Sequence, residues 1–274
     1  MHMLVQQSER AAPETAGQGG ESPLISVRSL RKSFGENEVL KGISAEVSKG
    51  EVISIIGPSG SGKSTFLRCI NFLEVPTSGE ILFSGEKMDY AAQGIGDRLR
   101  LQKRLAEYRT HVGMVFQSYN LWLHKTVLEN IIEAPVQVKK EPREQSVETA
   151  MTLLRRFGLE EKKDEYPGRL SGGQQQRVAI IRALAMSPRV MLFDEVTSAL
   201  DPELVGEVLE VLRILAESGM TMLLVTHEMA FARDCSSRVL FFDNGVIEEE
   251  GPAREVLTNP QKERTQKFLS RSRR

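Results

Sequence analysis

Val52-Ile53-Ser54-Ile55-Ile56-Gly57-Pro58-Ser59-Gly60-Ser61-Gly62-Lys63-Ser64-Thr65 is the stretch on which the fold turns. Val52 to Ile56 is a short apolar run preceded by a turn at Lys49-Gly50, the pattern of a parallel strand buried on both faces. A glycine-rich turn follows it, and Ser64 to Asn71 reads as a helix. Strand, turn and helix in this order fit the phosphate-binding loop G-x-x-x-x-G-K-[ST], which runs here from Gly57 to Thr65 through Pro58, Ser59 and Ser61. Gly57, Gly60 and Gly62 let backbone N–H groups wrap an anion at the positive end of the helix. Lys63 can then reach the β- and γ-phosphates of a nucleotide, and the Ser64 hydroxyl can hold Mg²⁺. A glycine turn that merely links strand to helix is the bland alternative, and the context on both sides speaks against it.

Outward from this stretch the chain alternates strands and helices, which predicts a mainly parallel sheet. Upstream, Ile25-Ser26-Val27 and the segment from Val39 to Val47 alternate as strands, and Gly79 to Phe83 suggests a second hairpin. Met88 to Tyr108 is charged and helix-prone toward its end. Asn120 to Glu165 is helical in pattern without strands, interrupted by Pro135 and Pro142, and predicts a separate lobe. Downstream come a helix from Ser171 to Met186, a strand from Val190 to Phe193 and a helix from Pro202 to Ser218. Thr221 to Thr226 then reads as strand, Met229 to Arg233 as helix and Arg238 to Phe242 as strand.

The strand Val190 to Phe193 ends in Asp194-Glu195. Beside a phosphate loop, Asp194 can hold the metal through water and Glu195 can polarise an attacking water as general base. Alone, two acids at a strand end would be read as solvation. Ser171-Gly172-Gly173-Gln174 opens a helix with a good N-cap and two glycines that permit close approach, making a second anion site or an ordinary capped helix.

Bulk properties narrow the class. The chain has 274 residues, 40% of them hydrophobic and 27% charged, as in ordinary globular domains. A formal net charge of -1 argues against a dedicated nucleic-acid binder. The two cysteines, Cys69 and Cys235, lack zinc-ligand spacing and read as buried small residues in a reducing compartment. No apolar run approaches the ~18 residues that span a bilayer, and no signal-type segment opens the chain, so a membrane role is expected to come through a partner. Residues 1–22, with Gly17-Gln18-Gly19-Gly20, are expected to form a disordered leader.

On these residues the chain resembles the ATP-binding-cassette (ABC) ATPases. Leu170-Ser171-Gly172-Gly173-Gln174 stands as that family's signature sequence, and the phosphate loop, Asp194-Glu195, Ser198-Ala199-Leu200-Asp201 and His227 stand in the family's order. The resemblance implies an α/β fold. Its P-loop NTPase (RecA-like) core would carry a mainly parallel sheet, an antiparallel β subdomain and an inserted α-helical subdomain at about 118–187. The cassette would span 24–258, with 259–274 as a C-terminal helix and tail. It also implies ATP and Mg²⁺, the ion held by Ser64, Gln117 and Asp194, with Glu195, His227 and Gln117 catalytic. Two copies would pack head to tail, with the signature residues Ser171, Gly172, Gly173 and Gln174 of one facing the other's nucleotide, and Ser171 and Gly173 contacting the γ-phosphate at its Lys63. Asp201 would cross the seam, and Phe34 would stack on adenine unless it is a core residue at the end of the first strand. Implied partners are integral-membrane permease subunits and, indirectly, a substrate-binding protein, with no nucleic acid. The implied location is the cytoplasmic face of the inner (plasma) membrane, as a peripheral subunit.

Phe72-Leu73-Glu74, Asn120-Leu121-Trp122, Leu200-Asp201-Pro202-Glu203-Leu204-Val205 and Val225-Thr226-His227-Glu228-Met229 resemble the family's polar amino-acid uptake branch, of histidine or glutamine type. A soluble cassette acting on the ribosome or DNA is the alternative, but neither a second phosphate loop nor extended heptads are present. An exporter ATPase would share every catalytic residue, and a P-loop kinase would leave Leu170 to Gln174 unexplained. The family's usual proline after the catalytic Glu is Val196 here, which restores an N–H and stiffens χ1. His2, His111 and His124 read as surface or packing residues, and Trp122 as either a partner-facing anchor or core. The basic Arg271 to Arg274 reads as a solvated end or a lipid contact.

Overall fold

A computed structural model describes residues 22–90 and 95–272. Most of the expected leader, His2 and the last two arginines of the tail lie outside the described residues. In chain order the elements are β1 (Ile25–Phe34), β2 (Asn37–Val47), β3 (Val52–Ile56), α1 (Lys63–Ile70), β4 (Ser78–Phe83) and β5 (Glu86–Lys87). They continue with α2 (Ile95–His111), β6 (Val112–Phe116), α3 (Val127–Gln137), α4 (Arg143–Arg156), α5 (Gly172–Leu184) and β7 (Val190–Asp194). The last are α6 (Pro202–Glu217), β8 (Thr221–Val225), α7 (Met229–Cys235), β9 (Arg238–Asp243), β10 (Val246–Pro252), α8 (Ala253–Thr258) and α9 (Glu263–Ser272).

These strands form two sheets. One is antiparallel, in the order β2-β1-β4-β5; the other has six strands, in the order β10-β9-β3-β8-β7-β6. Within the second, β9, β3, β8, β7 and β6 run parallel and only β10 is reversed. Every residue of β3, β7 and β8 is buried, because both faces of the sheet are covered. Ile53, Ile55, Leu192, Leu223 and Leu240 point toward α1 and the antiparallel sheet, where Phe66, Leu67, Ile25 and Ile81 complete one core. Their neighbours Met191, Phe193, Met222 and Leu224 point the other way, onto Ile131, Leu154, Ile181 and Val208 of the helices α3 to α6. A third cluster joins Ile56, Val239 and Phe241 to Val256, Leu257 and Leu269 of α8 and α9. The period of two along each strand thus sorts one apolar run into two opposed cores.

Register sets the site. Ile55 pairs with Val225, Val225 with Asp194 and Asp194 with Phe116. The carboxyl ends of four adjacent parallel strands therefore lie in one line, where doubly covered sheets place their ligands. Gly57, Gln117, Glu195 and Thr226 leave the sheet along that line.

Some local expectations are corrected. Pro135 does not interrupt a helix: it is buried near the end of α3, where the one hydrogen bond it removes does not stop the helix. Pro142 does mark a boundary, standing as the N-cap of α4. The helix after the phosphate loop starts at Lys63, one residue early. Cys69 is buried as expected, but Cys235 is only partly so. Trp122 is not core; it is 38% exposed, with the Arg182 and Lys125 cations at 5.1 and 5.4 Å from its ring. His111 and His124 are exposed.

Candidate functional site

The phosphate loop is shaped by contacts that only glycine tolerates. Gly57 has φ 144°, and a Cβ there would stand 2.1 Å from the carbonyl oxygen of Phe242. The turn after Phe242 closes on the loop from behind, since Gly245 N–H donates to Ser61 O at 3.2 Å. Gly60 and Gly62 also have positive φ, and Gly62 is the N-cap of α1. Pro58 and Ser64 are partly buried, while Ser59 and Gly60 face solvent. The Ser61 hydroxyl is buried without a partner among the described residues.

Lys63 is 4% exposed, and its Nζ donates to Gly57 O and Pro58 O, both at 2.9 Å. Burial lowers the pKa of its ammonium, against the raising influence of the nearby Glu195 and Asp194. A buried cation ringed by loop carbonyls is a ready partner for an incoming anion, which would stabilise the charged form.

Asp194 ends β7 at 4% exposure. Its Oδ2 accepts a hydrogen bond from Arg68 Nη2 at 3.2 Å, while its Oδ1 is buried with no partner among the described residues. A cavity of about 230 Å³ opens beside it, lined by Ser64, Arg68, Phe116, Gln117, Ser118, Asn120, Asp194 and Glu195. Gln117 follows β6 directly and is exposed toward this space. The end of β6 is held from α5, where buried Gln176 donates to Phe116 O at 3.2 Å.

Glu195 adopts φ 51°, a left-handed backbone that carries a cost of order 1–3 kcal/mol in a residue with a Cβ. Two backbone bonds hold it there: its N–H donates to Val225 O, and Ser198 N–H donates to its carbonyl, each at 3.1 Å. His227, just past β8, brings Nε2 to 3.6 Å from Glu195 Oε1, outside hydrogen-bond range but within reach of a shared group. Strand ends distant in sequence thus put a lysine, two carboxylates and an imidazole on one crevice.

The remaining candidates lie elsewhere. Ser171 caps α5 in a capping box: its Oγ accepts from Gln174 N–H at 3.2 Å, and Gln174 Oε1 accepts from Ser171 N–H at 3.0 Å. The two glycines after it serve a need that the sequence did not reveal. A Cβ on Gly172 would stand 2.9 Å from the Tyr119 hydroxyl, and one on Gly173 would stand 3.3 Å from Leu204 of α6. Neighbouring side chains of the same chain thus pack closely against both glycines. None of these signature residues lines the cavity at Asp194. Asp201 precedes α6, exposed, with no capping bond. Phe34 is 47% exposed at the end of β1, with Lys32 Nζ 4.6 Å from its ring centre, so its core reading fails.

The sequence profile of the family described as ABC transporter matches residues 40–198, from β2 to the loop after Glu195. The chain belongs to the ABC transporter family. It is an ABC-type ATPase, with the α/β cassette fold of that family. It is 54% identical over 252 residues to the octopine permease ATP-binding protein P of Rhizobium radiobacter, covering 91% of this chain and 95% of that one. With the histidine transport ATP-binding protein HisP of Pseudomonas aeruginosa it shares 55% identity over 248 residues, covering 90% and 97%. Among solved structures, the ATP-binding cassette MJ0796, a dimer in a post-hydrolysis state bound to ADP and Pi, superposes with a TM-score of 0.72. The two are 34% identical over 84% of this chain and 99% of that one.

In this ABC ATPase, Val196 is 5% exposed and packs in the core shared with α3 to α6; among the described residues its N–H has no partner. The donor that valine restores in place of the usual proline therefore gains no hydrogen bond. Sequence reasoning missed Arg68 and Tyr119. A basic residue five positions after the loop lysine carries no signal of its own, because its target lies 126 residues away. Among the described residues, no helix is long and apolar enough to cross a membrane, and no three His, Cys, Asp or Glu side chains cluster as a metal site.

Proposed function

We propose that this ATPase energises the uptake of polar amino acids, or of amino-acid derivatives such as opines, through separate membrane permease subunits. The convergence of Lys63, Asp194, Glu195 and His227 at one line of strand ends carries the catalytic part of the proposal. The import part is supported by the relatives, whose names refer to octopine permease and histidine transport. An ATPase of the ribosome or of DNA, or an exporter subunit, has no such support.

Within the site, ATP would lie on the loop Gly57 to Thr65, with Lys63 on its terminal phosphates and adenine on the free face of Phe34. A magnesium ion fits the residues present: Asp194 offers a buried, unpartnered oxygen beside the Ser64 hydroxyl and the Gln117 amide. Few protein ligands suit an ion that keeps several waters and shares phosphate oxygens. When bound, it would neutralise charge on the phosphates. Glu195 would accept a proton from the attacking water, and His227 would hold the γ-phosphate. The exposed start of α5 and Asp201 would complete the site of a second copy, an arrangement favoured by the dimeric state of the cassette MJ0796. The subunit would then sit at the cytoplasmic face of the inner membrane, bound through its permease, with a substrate-binding protein acting indirectly. The divisions at 24–258, 118–187 and 259–274 belong to the same proposal.

The test is co-purification. Tagged Glu195→Gln protein, which should bind ATP and hydrolyse it very slowly, is recovered with ATP from detergent-solubilised membranes. A multi-span permease is the expected companion, and the reconstituted complex should raise its ATPase with a polar amino acid or opine. Recovery of ribosomal or DNA-repair proteins instead would overturn the import reading.

A further inference from the structure

We propose that Arg68 is a positioning residue for the cation: its guanidinium takes one oxygen of Asp194 and so presents the other to Mg²⁺. The inference rests on the magnesium reading above and concerns a residue to which that reading gives no role. Arg68 leaves the last turn of α1, the helix whose first residue is Lys63. Its Nη2 donates to Asp194 Oδ2 at 3.2 Å, across 126 residues of chain. The carboxylate is almost wholly buried, and Oδ1 is left without a partner among the described residues.

A carboxylate with both oxygens free can turn about its last bond and offer either one. A single donor on Oδ2 removes that freedom and sets the plane of the group. The planar guanidinium is suited to this, because its donors are fixed in direction. One short helix therefore holds the phosphates at its start and the cation-binding carboxylate at its end, so the two parts of a metal–nucleotide complex are kept at a set separation.

Charge gives the opposite expectation, which makes the inference testable by sign. Arg68 is the basic side chain in a cavity lined by Asp194 and Glu195. Were its charge the governing factor, its removal would leave the carboxylates more attractive to a cation. If orientation governs, removal weakens the cation. Arg68 is itself 46% exposed in its side chain, so truncation opens no hole in a core.

The experiment titrates a fluorescent ATP analogue into wild-type protein, Arg68→Ala and Arg68→Lys, first in EDTA and then over a range of Mg²⁺. In EDTA the three should bind nucleotide within about twofold of one another. The Mg²⁺ concentration for half-maximal effect should rise about tenfold or more in Arg68→Ala, the usual scale for losing a residue that orients a metal ligand. Arg68→Lys should fall between, keeping the charge without the fixed geometry. Unchanged or tighter Mg²⁺ response in Arg68→Ala would overturn the inference, as would an equal loss of binding in EDTA, which would mean a loosened helix. A wild-type protein whose nucleotide binding ignores Mg²⁺ would overturn the magnesium reading itself, and the inference with it.

Discussion

Ser171 and Gln174 form the two halves of one cap, and this symmetry separates a structural role from a catalytic one. Each side chain accepts one backbone N–H of the pair, at 3.2 and 3.0 Å. Ser171→Ala and Gln174→Ala therefore each remove one of two reciprocal bonds. Either loss should cost about 1 kcal/mol, or roughly 2–4 °C in Tm for a chain of this size. Beyond that the two diverge. The Ser171 oxygen is used as an acceptor, so its O–H proton stays free to donate to a phosphate oxygen on a second copy. Loss of a donor aimed at developing negative charge costs about 2.7–4 kcal/mol, or about 10²–10³ in kcat. Steady-state phosphate release and thermal melts should thus show two variants matched in Tm and separated by about a hundredfold in turnover. Mixing Ser171→Ala with Lys63→Ala adds a second reading. A mixed pair keeps one site with both residues intact, so activity should reappear on mixing two inactive proteins. Equal turnover in the two cap variants, with no complementation, would refute the shared site.

Other expectations follow from single contacts. Gly57→Ala places a Cβ 2.1 Å from Phe242 O at φ 144°, so it should lose more than about 2 kcal/mol by denaturant melt and abolish nucleotide binding. Asn130, fully buried, binds Trp122 N–H and O, Lys125 O and Thr126 O; Asn130→Ala should cost about 2–3 kcal/mol in a urea melt. Because that segment carries the exposed Trp122 and Leu123, the same variant should lose transported-substrate stimulation of the reconstituted complex before it loses basal ATPase. Val196→Pro removes no hydrogen bond, so turnover should stay within about tenfold of wild type; a gain beyond about a hundredfold, or about 2.7 kcal/mol of barrier, would contradict that account.

Local pattern was enough for the strand–loop–helix unit at Val52 to Thr65, for the buried strands at Val190 and Thr221 and for the cap at Ser171. Each depends on neighbours within about one helical turn or on the period-two rule, and so is written in consecutive residues. The phosphate loop in particular needs glycine, lysine and serine at fixed offsets, and no other part of the chain has to be known to read it. Tertiary structure alone decided what those units meet. The pairing of Ile55 with Val225, Val225 with Asp194 and Asp194 with Phe116 brings Gln117, Glu195 and His227 to the loop, and register between distant strands leaves no trace in local pattern. It also decided that Gly172 and Gly173 make room for Tyr119 and Leu204, and that Pro135 stays inside a helix. The bond from Arg68 to Asp194 belongs here as well, since a hydrogen bond acts over about three ångströms whatever the length of chain between its partners.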